Sequence, residues 1–242
     1  MDYELTIDID ETSLRDLTKN FYKLYVFKGS IVDNSKGEPL VWQCYDKKEY
    51  GQTSKISWSE KYSAFISTQE IADEVTFSSI TTKEIYLDQK VSVDPKGNLL
   101  PPSDGQKGCI EINNGTSDTN YTCGICQQDR NNNMVPMCAF PLLRGTQDTI
   151  IPIEKLALYF ATETVNTGSV KEYATGKGII IDLTGLNQRK VYYELGDGWK
   201  TTDSGVPGIP FEPGADLSSL LFTVKSTAEI VKLAQERIAR KI

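Results

Sequence analysis

Cys109-Ile110-Glu111-Ile112, then Asn113-Asn114-Gly115, Tyr121-Thr122-Cys123-Gly124-Ile125-Cys126, Asn131-Asn132-Asn133, and Met137-Cys138-Ala139-Phe140 follow one another between residues 109 and 140. Strand-sized runs, rich in apolar residues, alternate here with Asn- and Gly-rich turns, too closely spaced for helices to intervene. The pattern continues outward in both directions. Downstream, residues 156–161, 178–183 and 191–195 are short and apolar; upstream, 22–27, 40–45, 56–59, 62–66, 75–77 and 85–87 are aromatic or alternating. At the start of the chain, Tyr3, Leu5, Ile7 and Ile9 alternate with Glu4, Thr6 and Asp8, the period-two signature of a half-buried strand. Short strands at intervals of about a dozen residues imply an all-β chain, read as an antiparallel β-sandwich with Greek-key-like connections.

Two helices interrupt this pattern. Asp10-Glu11-Thr12 caps a short N-terminal helix whose apolar positions are Leu14, Leu17 and Phe21. Near the end, Ser226-Thr227-Ala228-Glu229 is a capping box opening a C-terminal amphipathic helix to Ile242. Ile230, Val231, Leu233, Ala234 and Ile238 form its apolar stripe, and Lys232, Glu236, Arg237, Arg240 and Lys241 its polar side. Between residues 206 and 214 three prolines and two glycines argue against regular pairing. The division expected is a β-sandwich domain over 1–205 and an extension over 206–242 made of linker, short strand and helix.

Composition removes several functional classes. The 242 residues carry 33 Asp and Glu against 26 Lys and Arg, a net charge of -7 that repels a nucleic-acid backbone. There is no histidine, which deletes Ser-His-Asp and Cys-His nucleophile pairs and His-ligated metal sites. Neither a basic, apolar leader nor an apolar run of about 18 residues is seen, so the protein is expected to be cytoplasmic as synthesised, acting outside only after non-classical release. Five cysteines, an odd number, point to reduced thiols rather than a disulfide framework. Cys123 and Cys126 are spaced like a metal or redox pair, yet an offset of three on a strand sends them to opposite faces. No cofactor is expected. The sequons at Asn114 and Asn120 are patterns common by chance.

Aromatic residues beside polar ones suggest a shallow ligand site, since an exposed ring stacks on a sugar face or sits at a lipid interface. Trp42, Trp58, Tyr62 and Trp199 are the expected ligand-binding residues. Ser/Thr-rich alternation from 53 to 87 has the period of a membrane hairpin, and equally of a sandwich strand pair. Carboxylates such as Asp73-Glu74 and Glu194 with Asp197 are the source of a hydrolytic pair if the chain is an enzyme, which is not expected. In general character the chain is similar to β-sandwich lectins and small pore-forming cytolysins, with no family motif matched residue by residue. The resulting expectation is a non-enzymatic protein that binds a glycan or membrane-surface ligand. A pore-forming toxin rearranging at 53–87, and a structural or storage protein, are the alternatives. Oligomers, if formed, are expected through the C-terminal helix.

Overall fold

The computed structural model describes residues 2–34 and 36–240, the last four of these by backbone alone. Most of the regular structure is β, in three sheets. The first sheet has four strands in the order Gly198–Thr201, Gln188–Glu194, Asp2–Ile9, Thr53–Ser59. Its N-terminal strand buries Tyr3, Leu5, Ile7 and Ile9 and leaves the residues between them half-exposed, as the alternation implies. The second sheet has nine strands built around the long strand Gln147–Ala161, which pairs with Lys23–Val32, Ile110–Asn114 and Gly178–Asp182. A third sheet of six strands is centred on Tyr121–Gln128, flanked by Tyr62–Ser67 and Cys138–Leu142. All three contribute to one main apolar cluster, which includes Leu5, Trp58, Leu156, Ile125 and Phe140.

Strand direction differs from the antiparallel expectation at three places. Asp2–Ile9 runs parallel to Gln188–Glu194, Ile110–Asn114 to Gln89–Val93, and Phe222–Val224 to Lys23–Val32. Parallel neighbours need long crossovers, and hydrophobic periodicity says nothing of strand direction. The Pro-rich stretch also departs from expectation. Ile209–Phe211 pairs with residues 178–180, and Pro210 is tolerated because this strand lies at the sheet edge. Val75 to Phe77, read as a strand, is extended loop with an isolated bridge from Thr76 to Ser169.

Both expected helices form where their caps lie, and a third, Leu217–Leu221, follows the cap Asp216. Asp10 accepts from the backbone N–H groups of Thr12 and Ser13 at the head of Glu11–Lys19, and Leu17 is buried beneath it. Phe21, counted above as a helix position, lies beyond the last turn and is exposed. Ser226 and Glu229 cap Thr227–Arg240 reciprocally. That helix packs on its own sheet, with Ile230 and Ala234 buried against Cys109 and Ile151. Gly108 approaches it so closely that an added Cβ would stand 2.7 Å from Ala234 Cβ. The expected positions Arg237, Ile238, Arg240 and Lys241 lie outside the described side chains.

One buried polar cluster ties the sheets together. The pairing of Lys23–Val32 with Gln147–Ala161 slips between Ile153 and Leu156, a β-bulge that leaves Glu154 buried beside Lys28. Lys28 Nζ lies 2.8 Å from Glu154 Oε2, and both side chains are essentially inaccessible. Trp58 of the four-stranded sheet donates its indole N–H to the same oxygen at 2.5 Å. The ammonium also lies 4.3 Å from the Trp58 ring centroid and 5.2 Å from that of Trp42. Trp42 in turn donates to the Gln127 carbonyl of the six-stranded sheet. Removing one partner strands a buried charge, at a cost of about 3–5 kcal/mol. Glu154→Ala is therefore expected to destabilise by about that amount, whereas Lys28→Met with Glu154→Leu recovers most of it in urea unfolding. Equal losses in the single and double variants would contradict this account.

Candidate functional site

The four aromatic residues expected to bind ligand are all in the interior. Trp42 is 0% exposed, Trp58 5%, Tyr62 3% and Trp199 7%. Trp42 and Trp58 meet edge to face, with ring centroids 5.9 Å apart, in the cluster just described. Trp199 stacks on Phe160 at 5.2 Å, some distance along the fold, and donates to the Lys177 carbonyl. Tyr62 sits at the start of a strand covered on both faces. The exposure expected of these rings is thus not found, because the space between three sheets is large enough to use them as core. The 53–87 segment is also divided. Thr53–Ser59 pairs with Asp2–Ile9, whereas Tyr62–Ser67 lies between Tyr121–Gln128 and Thr81–Ile85, so the antiparallel pair within this segment is Tyr62–Ser67 with Thr81–Ile85, inside the six-stranded sheet. Cys123 and Cys126 do point apart, into separate apolar clusters, and none of the five cysteines forms a disulfide among the described residues. Asn114 is buried, its amide donating to the carbonyls of Thr119 and Leu142.

A polar cleft of about 400 Å³ lies elsewhere, beside the strand Gln43–Tyr45. Among the described residues this strand pairs only with Lys23–Val32, and its other edge is left to loops. Two loops reach it. One is the hairpin turn 129–133, held by Asp129, whose Oδ1 accepts from the backbone N–H groups of Asn131 and Asn133 at 2.8 Å each. Asn132 takes the left-handed conformation there, φ 64°, which asparagine tolerates better than most residues. The other is 165–167, anchored where Gly168 N–H donates to Val41 O.

The lining consists largely of hydrogen-bonding groups: Gln43, Asp46, Glu49, Arg130, Asn131 and Asn166 among them. Gln43 is 2% exposed; Tyr45 Oη donates to its carbonyl oxygen at 2.5 Å, while its amide nitrogen has no hydrogen-bond partner. Such a buried donor is a strong demand for an acceptor. Both cations are already engaged. Lys23 pairs with Asp46 at 3.3 Å, and Arg130 pairs with Glu49 at 2.6 Å while its guanidinium lies 4.2 Å from the Tyr45 ring centroid. The Arg130 hydrogen bond holds the Glu49 carboxyl below its usual range, so it accepts hydrogen bonds and does not donate a proton. Burial pushes the Cys44 thiol up to about 11, leaving it neutral at the cleft wall.

A second cavity, of about 490 Å³, is bordered by Glu38, Glu70, Gln69, Tyr121 and Glu172. Burial, with Glu172, Asp216 and Asp73 nearby, pushes Glu38 up to about 7, and its Oε2 is buried without a partner. Asp73 and Glu74, named above as possible catalytic carboxylates, lie on an exposed loop; Asp73 accepts from Glu172 N–H and Glu74 pairs with Lys171. No protein-family model, curated protein or solved structure matches this chain. Function therefore has to be argued from the sites themselves.

A carboxyl raised in the folded state holds its proton more tightly folded than unfolded. Glu38 accordingly favours the fold fully below its ordinary value near 4.5, and that contribution is lost as pH rises through about 7. Glu38→Gln is expected to melt higher than wild type at pH 8 by on the order of 1 kcal/mol, a figure reduced for its partial exposure, with the gain shrinking toward pH 4. A gain independent of pH in thermal unfolding would refute the assignment.

Proposed function

We propose that the protein is a non-enzymatic recognition protein whose cleft beside Gln43–Tyr45 binds a neutral carbohydrate. The observation carrying this reading is the buried, unpartnered amide nitrogen of Gln43 in the wall of a cleft lined by asparagine amides and carboxyl groups. A sugar presents closely spaced hydroxyl groups that both donate and accept. Carboxylates accept from them, amides do both, and Gln43 Nε2 requires an acceptor. Lys23 and Arg130 each have a carboxylate partner already. An acidic sugar would have to displace Asp46 or Glu49, which favours neutral ligands. No histidine, raised carboxyl or free nucleophile is needed for such binding.

The architecture that goes with this reading is a β-sandwich with Greek-key-like connections, its sheets acting as a rigid frame for ligand-binding loops. The loops 129–133 and 165–167 then supply specificity, and strand Gln43–Tyr45 supplies the floor. Immobilised mannose-, galactose- and N-acetylglucosamine-terminated oligosaccharides, with sialylated and sulfated counterparts, test the proposal. Binding is expected to at least one neutral series and to weaken with acidic substitution. Asn131→Ala together with Asn166→Ala should lower affinity by about thirtyfold, as loss of hydrogen bonds of about 1 kcal/mol each implies. Absence of neutral-sugar binding, or binding unchanged in this double variant, would refute the reading.

A further inference from the structure

The end of the first helix presents an aromatic side chain where the fold has little use for one. After Glu11–Lys19 and the cap residue Asn20, Tyr22 N–H donates to Leu17 O at 3.0 Å and Phe21 N–H to Thr18 O at 3.4 Å. Phe21 thus occupies the residue after the cap, in the left-handed conformation with φ 60°. Glycine or asparagine usually takes this place, because a Cβ crowds the backbone there. The Phe21 ring is also 65% exposed. Backbone strain and an exposed ring together are a local conflict with foldability, the kind that marks a residue retained for a contact outside the fold.

Its surroundings indicate the chemistry of that contact. Lys47 Nζ lies 3.5 Å from the Phe21 ring centroid. Lys48 is exposed beside it, and neither lysine has an ion-pair partner among the described residues. Together with Lys23 and Asp46 they border a shallow depression of about 300 Å³. Three lysines against one carboxylate reverse locally the sign of a chain whose net charge is -7. Lys23 answers Asp46 at 3.3 Å, which leaves the charges of Lys47 and Lys48 unopposed. Repulsion from carboxylates elsewhere is screened over about 8 Å at physiological salt.

We infer that Phe21, Lys47 and Lys48 form a membrane-surface anchor for an anionic phospholipid bilayer. The Phe21 ring enters the headgroup layer, where an aromatic side chain is favourably placed, and the two ammonium groups lie against lipid phosphates. The patch shares Lys23 and Asp46 with the cleft beside Gln43–Tyr45. Docking therefore holds that cleft at the membrane surface. The anchor rests on its own observations and stands or falls independently of what the cleft binds.

Co-sedimentation of the full chain with phosphatidylcholine vesicles, with and without about one-third phosphatidylserine, tests the anchor. Binding is expected only to the anionic vesicles and should weaken as salt rises. Lys47→Ala with Lys48→Ala should reduce partitioning roughly thirtyfold, about fivefold per lysine, while Lys96→Ala on a distant loop leaves it unchanged. Phe21→Gly should also reduce partitioning while melting no lower than wild type, since glycine suits the backbone at that position. This separates loss of the ring from loss of the fold. Failure to bind anionic vesicles, or binding undiminished in the Phe21 and double-lysine variants, would overturn the inference. Binding of soluble heparin without binding to anionic vesicles would equally overturn it, by assigning the patch to a soluble polyanion.

Discussion

The ion pair of Lys28 with Glu154 is the constraint around which the three sheets are assembled. Neither charge has access to water, so each requires the other, and the β-bulge at Glu154 is what brings them together. Trp58 adds a hydrogen bond from the four-stranded sheet, and Trp42 extends the contact to the Gln127 carbonyl in the six-stranded one. A cation between two indole rings in a dry interior gains about 2 kcal/mol or more from the ring faces, which offsets part of its desolvation. Burial still pulls the Lys28 ammonium below its ordinary value, with Glu154 opposing the shift. Apolar side chains could fill the same volume at less cost in desolvation. The polar cluster instead requires a particular set of partners from all three sheets at once, which restricts how they can be stacked.

This use of aromatic residues leaves none of the three tryptophans on the surface. The tryptophans are committed to the interior, as are the rings of Phe160, Tyr193 and Tyr50, which pack against one another near Trp199. In the proposed reading, polar recognition falls to loops that gather along the uncovered edge of Gln43–Tyr45. Those loops are held by short-range hydrogen bonds, with Asp129 fixing one turn and Gly168 anchoring the other. Arg130 lies across Tyr45 and pairs with Glu49, so this wall of the cleft is held by contacts within the chain. Preorganisation of this kind reduces the conformational cost of binding a polar molecule.

Much of the fold could be read from sequence because local periodicity records which face of an element is buried. The alternation of Tyr3, Leu5, Ile7 and Ile9, the Asp10 cap and the Ser226–Glu229 box all correspond to observed structure. The opposite orientations of Cys123 and Cys126 follow from the same pleat. Strand direction and partner choice did not follow, since they depend on residues far apart in the chain: Asp2–Ile9 pairs in parallel with Gln188–Glu194. The site was less legible still. Trp42 and Trp58 look alike in sequence whether they face solvent or a buried ammonium, and nothing local indicates that Lys28 lies between them. Asn131 to Asn133 could be recognised as a turn, but its proximity to Gln43 and Asn166 is a product of the tertiary fold. Phe21 fitted the helical spacing and was lost to view because the helix ends two residues earlier, at Lys19.

The proposed sugar site turns on Gln43, buried in the cleft wall with an unpartnered amide nitrogen. Its side-chain amide resonances in a nitrogen–proton correlation spectrum test this most directly, during titration with a mixture of mannose-, galactose- and N-acetylglucosamine-terminated oligosaccharides. A saturable shift of the Gln43 amide pair is expected together with the side-chain amides of Asn131 and Asn166, while the Trp42 and Trp58 indole signals in the interior stay in place. A saturable response elsewhere on the surface with these amides unmoved, or no response to any of the sugars, would contradict it.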